Sequence, residues 1–100
     1  MQQTDILASQ PITSSGALQN QAGNNIGRGR IRAIYIVPGA SAGSVVFKDG
    51  GASGTTIATI NTVGSATVQQ YIRLPANGLL FQTSLYATLT NVTSVMVFYA

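Results

Sequence analysis

Histidine, cysteine, tryptophan and glutamate are all missing from this chain, and aspartate occurs only at positions 5 and 49. Without cysteine there is no disulfide framework, no thiolate chemistry and no zinc–sulfur site. General acid–base catalysis needs a group titrating near the working pH, ordinarily a histidine or a paired carboxylate, and two aspartates in distant parts of the chain do not supply one. A serine or threonine nucleophile would find only Lys48 or the α-amino group as its base. Calcium binding wants several carboxylates, which leaves Asp49 with nearby loop carbonyls as a weak cation site at most. The expectation is therefore a protein without catalytic activity and without a cofactor. No apolar run approaches the ~18 residues of a membrane-spanning helix. The opening residues, MQQTDILASQ, lack the basic and apolar regions of a secretory signal, so the sequence reads as a soluble protein made in the cytoplasm.

Charge is scarce as well. Only 7% of the residues are charged, against about 25% in an average soluble protein, and the exterior must be dressed in the 34 Ser, Thr, Asn and Gln residues. Charge repulsion is what ordinarily keeps small proteins apart in solution. A surface this neutral fits a subunit of an assembly better than a free monomer. The net charge of +3 gathers at Arg28, Arg30 and Arg32, which makes a spot and not the broad basic face of a nucleic-acid binder.

What the chain does have is a period of two. From residue 30 onward seven short runs, at 30–37, 44–48, 55–60, 67–74, 79–82, 84–90 and 94–99, carry apolar residues at alternate positions or on both faces, with β-branched residues throughout. Pro38-Gly39, Asp49-Gly50-Gly51, residues 61–65 and Pro75-Ala76-Asn77-Gly78 punctuate them. No window has the three-and-four spacing of a helix. These seven runs, with one or two more before residue 30, have the spacing of an all-β sandwich or barrel; the expectation is an antiparallel sandwich of about eight strands, resembling a jelly roll, with its main domain over residues 30–100. Before it, residues 1–29 are polar, almost uncharged and glycine-bearing, with two short strand-like pieces at 5–8 and 16–18. They read either as an extended N-terminal arm reaching a neighbouring subunit, followed by a flexible connection, or as short strands pairing at the edges of their own sheets.

Several residues are candidates for contact. On alternate positions of an extended chain Arg28, Arg30 and Arg32 share one face and could clamp the carboxylates of an acidic partner in bidentate geometry; solvated charges protecting a sheet edge and, less readily, nucleic-acid binding are the other readings. Ile6, Leu7, Ile12 and Leu18 are the apolar residues of the arm available for burial against another subunit. Tyr71 and Tyr86 lie on the polar sides of their strands and, with loop residues Asp49 and Asn77, could form a face for a sugar or other ligand; tyrosines bridging core and surface are the plainer account. Asp49 is expected to cap its own turn to Gly50 and Gly51. The glycine-rich stretches at 39–44 and 50–55 lack the lysine and the following helix of a phosphate loop and read as connecting loops.

The phrases IRAIY at 31–35, GSVVFKDGGASG at 43–54, LPANGLLF at 74–81 and YATLTNV at 86–92 resemble small all-β virion proteins of tailed bacteriophages, in particular those of marine bacteria and cyanobacteria. The resemblance spans residues 30–100 and leaves the N-terminal segment outside. It implies a structural component of the particle, a decoration or cement protein on the capsid exterior that bridges major capsid subunits, with no enzymatic residues to carry over. The subunit could sit as a monomer or as a homo-oligomer, and a trimer is preferred because closed symmetry hides low-charge surface well. A head- or tail-fibre module that binds host-surface glycans through the Tyr71 and Tyr86 face is the alternative.

Overall fold

The computed structural model describes residues 6–62, 69–74 and 78–100. The described residues hold nine strands and no helix. In chain order these are β1 (Leu7–Ala8), β2 (Gly16–Ala17), β3 (Gly29–Pro38), β4 (Gly43–Asp49), β5 (Thr55–Thr62), β6 (Gln70–Arg73), β7 (Leu79–Phe81), β8 (Leu85–Thr90) and β9 (Val92–Tyr99). Every pairing is antiparallel. The first sheet, called A, has the order β1-β9-β3-β6, with β7 also pairing along β3; the second, B, has the order β2-β8-β4-β5. Pairing is thus nested: β1 with β9, β2 with β8, β3 with β6 and β7, and β4 with β5. Of the expected run at 67–74, Gln70–Arg73 forms a strand, while residues 67 and 68 lie outside the described set. So do residues 63–65 and 75–77 of two expected turns.

The two sheets face each other through the alternate residues that the sequence period marks. Ile31, Ile34 and Ile36 of β3 and Val95, Val97 and Tyr99 of β9 meet Val45 and Phe47 of β4 and Leu85 and Ala87 of β8, all buried. Side chains alternate across a strand, so Ile31 and Ile34 can both face the core only where an extra residue intervenes. The register shifts there: Ile31 pairs with Tyr99 and Ala33 with Phe98. Arg32 is the additional residue of this β-bulge, the kind of irregularity that re-aims a side chain. At the far end of the sandwich Gly43 opens β4 so close to β8 that a Cβ would overlap the Thr90 carbonyl oxygen, which only glycine avoids.

The N-terminal segment lies on its own sheets. Residues 7–12 follow β9, with Leu7 opposite Tyr99 and Ala8 opposite Phe98, and the amides of Ser9 and Ile12 donate to Val97 and Val95 at 2.9 Å. The chain then crosses to sheet B, where Gly16 and Ala17 pair with Ala87 and Tyr86 and the Leu18 amide donates to Leu85 at 2.9 Å. Asn20 fixes the next turn, its Oδ1 accepting from the amides of Ala22 and Asn24 at 3.0 Å. Ile26 then returns beneath Leu18, and both are buried. An extended arm is therefore not how residues 6–29 lie. A few apolar residues suffice because the exposed edges of β8 and β9 offer ready backbone partners.

Candidate functional site

Among the described residues no cluster of three or more His, Cys, Asp or Glu side chains occurs. Asp49 has a clear structural task. Its Oδ2 accepts from the Gln82 amide at 2.8 Å, and its Oδ1 accepts from the amides of Thr83 at 2.8 Å and Ser84 at 3.3 Å. These bonds, led by that from Thr83, hold its carboxyl below the usual carboxylate range, since they stabilise the charged form. The expected cap of its own turn is thus a cap of the β7–β8 turn, 33 to 35 residues away. The turn after Asp49 is made instead by Gly50 and Gly51 at φ of 106° and 100°, with Lys48 Nζ donating to the Ala52 carbonyl at 3.0 Å.

The expected ligand face is not one surface. Tyr71 belongs to sheet A and Tyr86 to sheet B, each flanked in its strand by more deeply buried residues, so they look out from opposite sides of the sandwich. Asn77 lies outside the described residues. The arm contacts divide as well. Leu18 is in the core, Ile12 packs against it, and only Ile6 and Leu7 stay exposed, at 48% and 52%. Of the three clustered arginines, Arg28 is an exposed loop residue ahead of β3. Arg30 and Arg32 flank buried Ile31 and so face outward on sheet A.

The outer faces of the two sheets differ in kind. On sheet B the outward residues are Ser44, Val46 and Lys48 of β4, Thr56, Thr59 and Asn61 of β5, and Tyr86, Thr88 and Thr90 of β8, a surface mostly of hydroxyls, with one amide, one lysine and a single valine. On sheet A the registers set Tyr71, Tyr35 and Met96 in one row and Arg73, Ala33 and Phe98 in the next, with Val37 beyond. The ring of Tyr71 meets that of Phe98 edge-on at 6.0 Å, and Tyr71 is 57% exposed. One face is mostly hydroxyl-bearing and wettable; the other is apolar with arginines at one end.

At that end lies a cavity of about 290 Å³. Tyr71, Phe98, Leu74 and Ile6 supply its apolar lining, Ala33 sits between Arg73 and Phe98, and Arg32 and Arg73 bring the charge. Arg32 is firmly placed. Its carbonyl accepts from the Leu74 amide at 3.0 Å, and Gly78, at φ 82°, lies so near that a Cβ would overlap the Ile31 carbonyl oxygen and crowd the Arg32 Cδ. The Arg32 Nε is buried without a hydrogen-bond partner among the described residues. Asp49, the only described side-chain carboxylate, is taken up by the β7–β8 turn.

Arg73 was not among the residues singled out from the sequence, although its alternation with Tyr71 places both on one side of their strand. What was missing is the pairing of β6 with β3, which sets Arg73 opposite Ala33, beside Arg32. In comparisons with models of protein families, with curated proteins and with solved structures, the chain matches none of them.

Proposed function

We propose that this chain is a structural subunit of a tailed-phage particle, a decoration or cement protein that docks on the capsid exterior and bridges major capsid subunits through the outer face of sheet A. The observation that carries this reading is the contrast between that apolar, arginine-edged face and the hydroxyl-covered face of sheet B. Apolar sheet faces left open on a protein with so few charges favour association, and aromatic residues, Met and Arg are what interface centres are enriched in. The nested strand pairing supports a jelly roll, an architecture built from two antiparallel sheets and used in viral capsids. Contact passes from residues 6–29 as a whole to sheet A, with Ile6 and Leu7 at its rim. Such a subunit works without catalysis: binding assembled shell but not dissociated subunits stabilises the shell by mass action.

The test is co-sedimentation of the purified protein with phage capsids stripped of it, with light scattering reading its own oligomeric state. Saturable binding at a fixed ratio to capsid subunits is the expected result. Absence of binding to capsids, with retained folding, would refute the assignment.

A further inference from the structure

We propose that the cavity between Arg32 and Arg73 is a receptor for a carboxylate carried on an apolar segment, namely an aspartate or glutamate side chain of the docking partner flanked by apolar residues. The inference rests on the reading of sheet A as a docking face and names the chemistry of its partner. Two guanidinium groups border one cavity, and the one described side-chain carboxylate, Asp49, is engaged elsewhere. A buried donor without an acceptor, such as the Arg32 Nε, leaves its desolvation uncompensated until an acceptor arrives. The Nε–H together with an Nη–H forms the planar fork that fits both oxygens of a carboxylate. Because the Nε is shielded, its guanidinium must turn toward the cavity as the carboxylate enters. Its backbone is bonded to Leu74 and its Cδ lies beside Gly78, which makes that a local movement.

The walls decide what carries the carboxylate. Tyr71, Phe98, Leu74 and Ile6 offer apolar contact on either side of the charge, and the cavity at about 290 Å³ has room for a side chain with parts of its neighbours. A single-stranded nucleic acid would want a basic track along stacking rings. Here the arginines gather at one end, and the rest of the face, Tyr35, Met96 and Val37, carries no charge that could make such a track.

The experiment follows the Arg Nε–Hε resonances of the full chain by NMR. The probes are a capped pentapeptide with glutamate between leucine and phenylalanine, its glutamine counterpart, and an eight-nucleotide oligothymidylate. The glutamate peptide should shift the Arg32 resonance saturably and bind about 10-fold or more tightly than the glutamine peptide, as expected for a charge-assisted bidentate contact. The exposed Arg73→Gln variant should weaken it by a similar factor, and Arg28→Gln should leave it unchanged. Equal binding of the two peptides, no binding of either, or an equal effect of Arg28→Gln would overturn the assignment, as would tighter, steeply salt-dependent binding of the oligothymidylate. The capsid experiment needs none of these probes: capsid binding without peptide binding would sink the pocket alone, and peptide binding without capsid binding would sink the capsid role alone.

Discussion

Leu18→Ala tests directly whether the N-terminal segment is part of the fold. Leu18 is fully buried, its amide donates to Leu85 and its carbonyl accepts from Ile26, so truncation removes an apolar side chain where the segment is fastened to sheet B. Three carbons lost from a buried site forfeit about 2.4 kcal/mol of transfer free energy at ~0.8 kcal/mol each. The cavity left behind raises the cost, and buried Leu→Ala changes span roughly 2–5 kcal/mol. About 3 kcal/mol corresponds to a fall in melting temperature of roughly 12–24 °C for a domain of this size. Urea unfolding followed by circular dichroism gives the same quantity as a lower midpoint at unchanged slope, provided the compactness of both states is unaltered. Ile6→Ala, at a half-exposed position, serves as the comparison and should cost only about 1.2 kcal/mol, half the transfer free energy by the same argument and with no enclosed cavity left behind. A Leu18→Ala protein within ~0.5 kcal/mol of the parent, the range of ordinary surface substitutions, would refute the packing of this segment and restore the extended arm.

Asp49→Asn should lower the melting temperature at pH 7, because the amide cannot accept from Gln82, Thr83 and Ser84 as the carboxylate does. The folded carboxyl titrates below its ordinary value, so its stabilisation is complete above about pH 4 to 5 and is lost as pH falls through the folded pKa. The gap between parent and variant should accordingly narrow as pH falls below about 4, and a gap that does not narrow with acid would contradict this role. Gly43→Ala should destabilise by about 1–3 kcal/mol, since its Cβ overlaps the Thr90 carbonyl oxygen and overpacking costs that much; chemical denaturation at parental stability would show that the ends of β4 and β8 are not so close. Tyr71→Ala should cost about 1–3 kcal/mol of stability, the edge-to-face ring pair adding to the burial of less than half of the side chain, while weakening docking; a stability loss with docking intact would mark Tyr71 as structural only.

The two-residue period made the strands and their inward residues legible. Ile34, Ile36, Val95 and Val97 are where alternation puts them, and the apolar residues on both sides of the 34–37 and 94–99 runs are the Tyr35, Val37, Met96 and Phe98 of sheet A's outer face. What a period of two cannot express is which strands are neighbours. Tyr71 and Tyr86, alike in their own strands, fall on opposite sheets, and Arg73 meets Arg32 only through a pairing some forty residues distant. The bulge at Arg32 leaves no compositional trace, since it belongs to the register between β3 and β9. Residues 6–29 look like an arm because Leu18 and Ile26 stand alone among Gln, Asn and Gly; their burial depends on two sheet edges that form from residues 85–99. Asp49 was readable as a cap, but the turn it caps lies across the sheet.

The most direct measurement compares two charge insertions in the capsid co-sedimentation experiment. Met96→Lys places an ammonium on the outer face of sheet A, and Thr88→Lys places the same group on that of sheet B. Both positions face outward, so both proteins should stay folded, as a thermal melt verifies. Docking through sheet A predicts that the Met96→Lys protein leaves the capsid pellet while the Thr88→Lys protein remains in it at the parental ratio. Retention of the Met96→Lys protein at that ratio, or loss of the Thr88→Lys protein instead, would contradict the account.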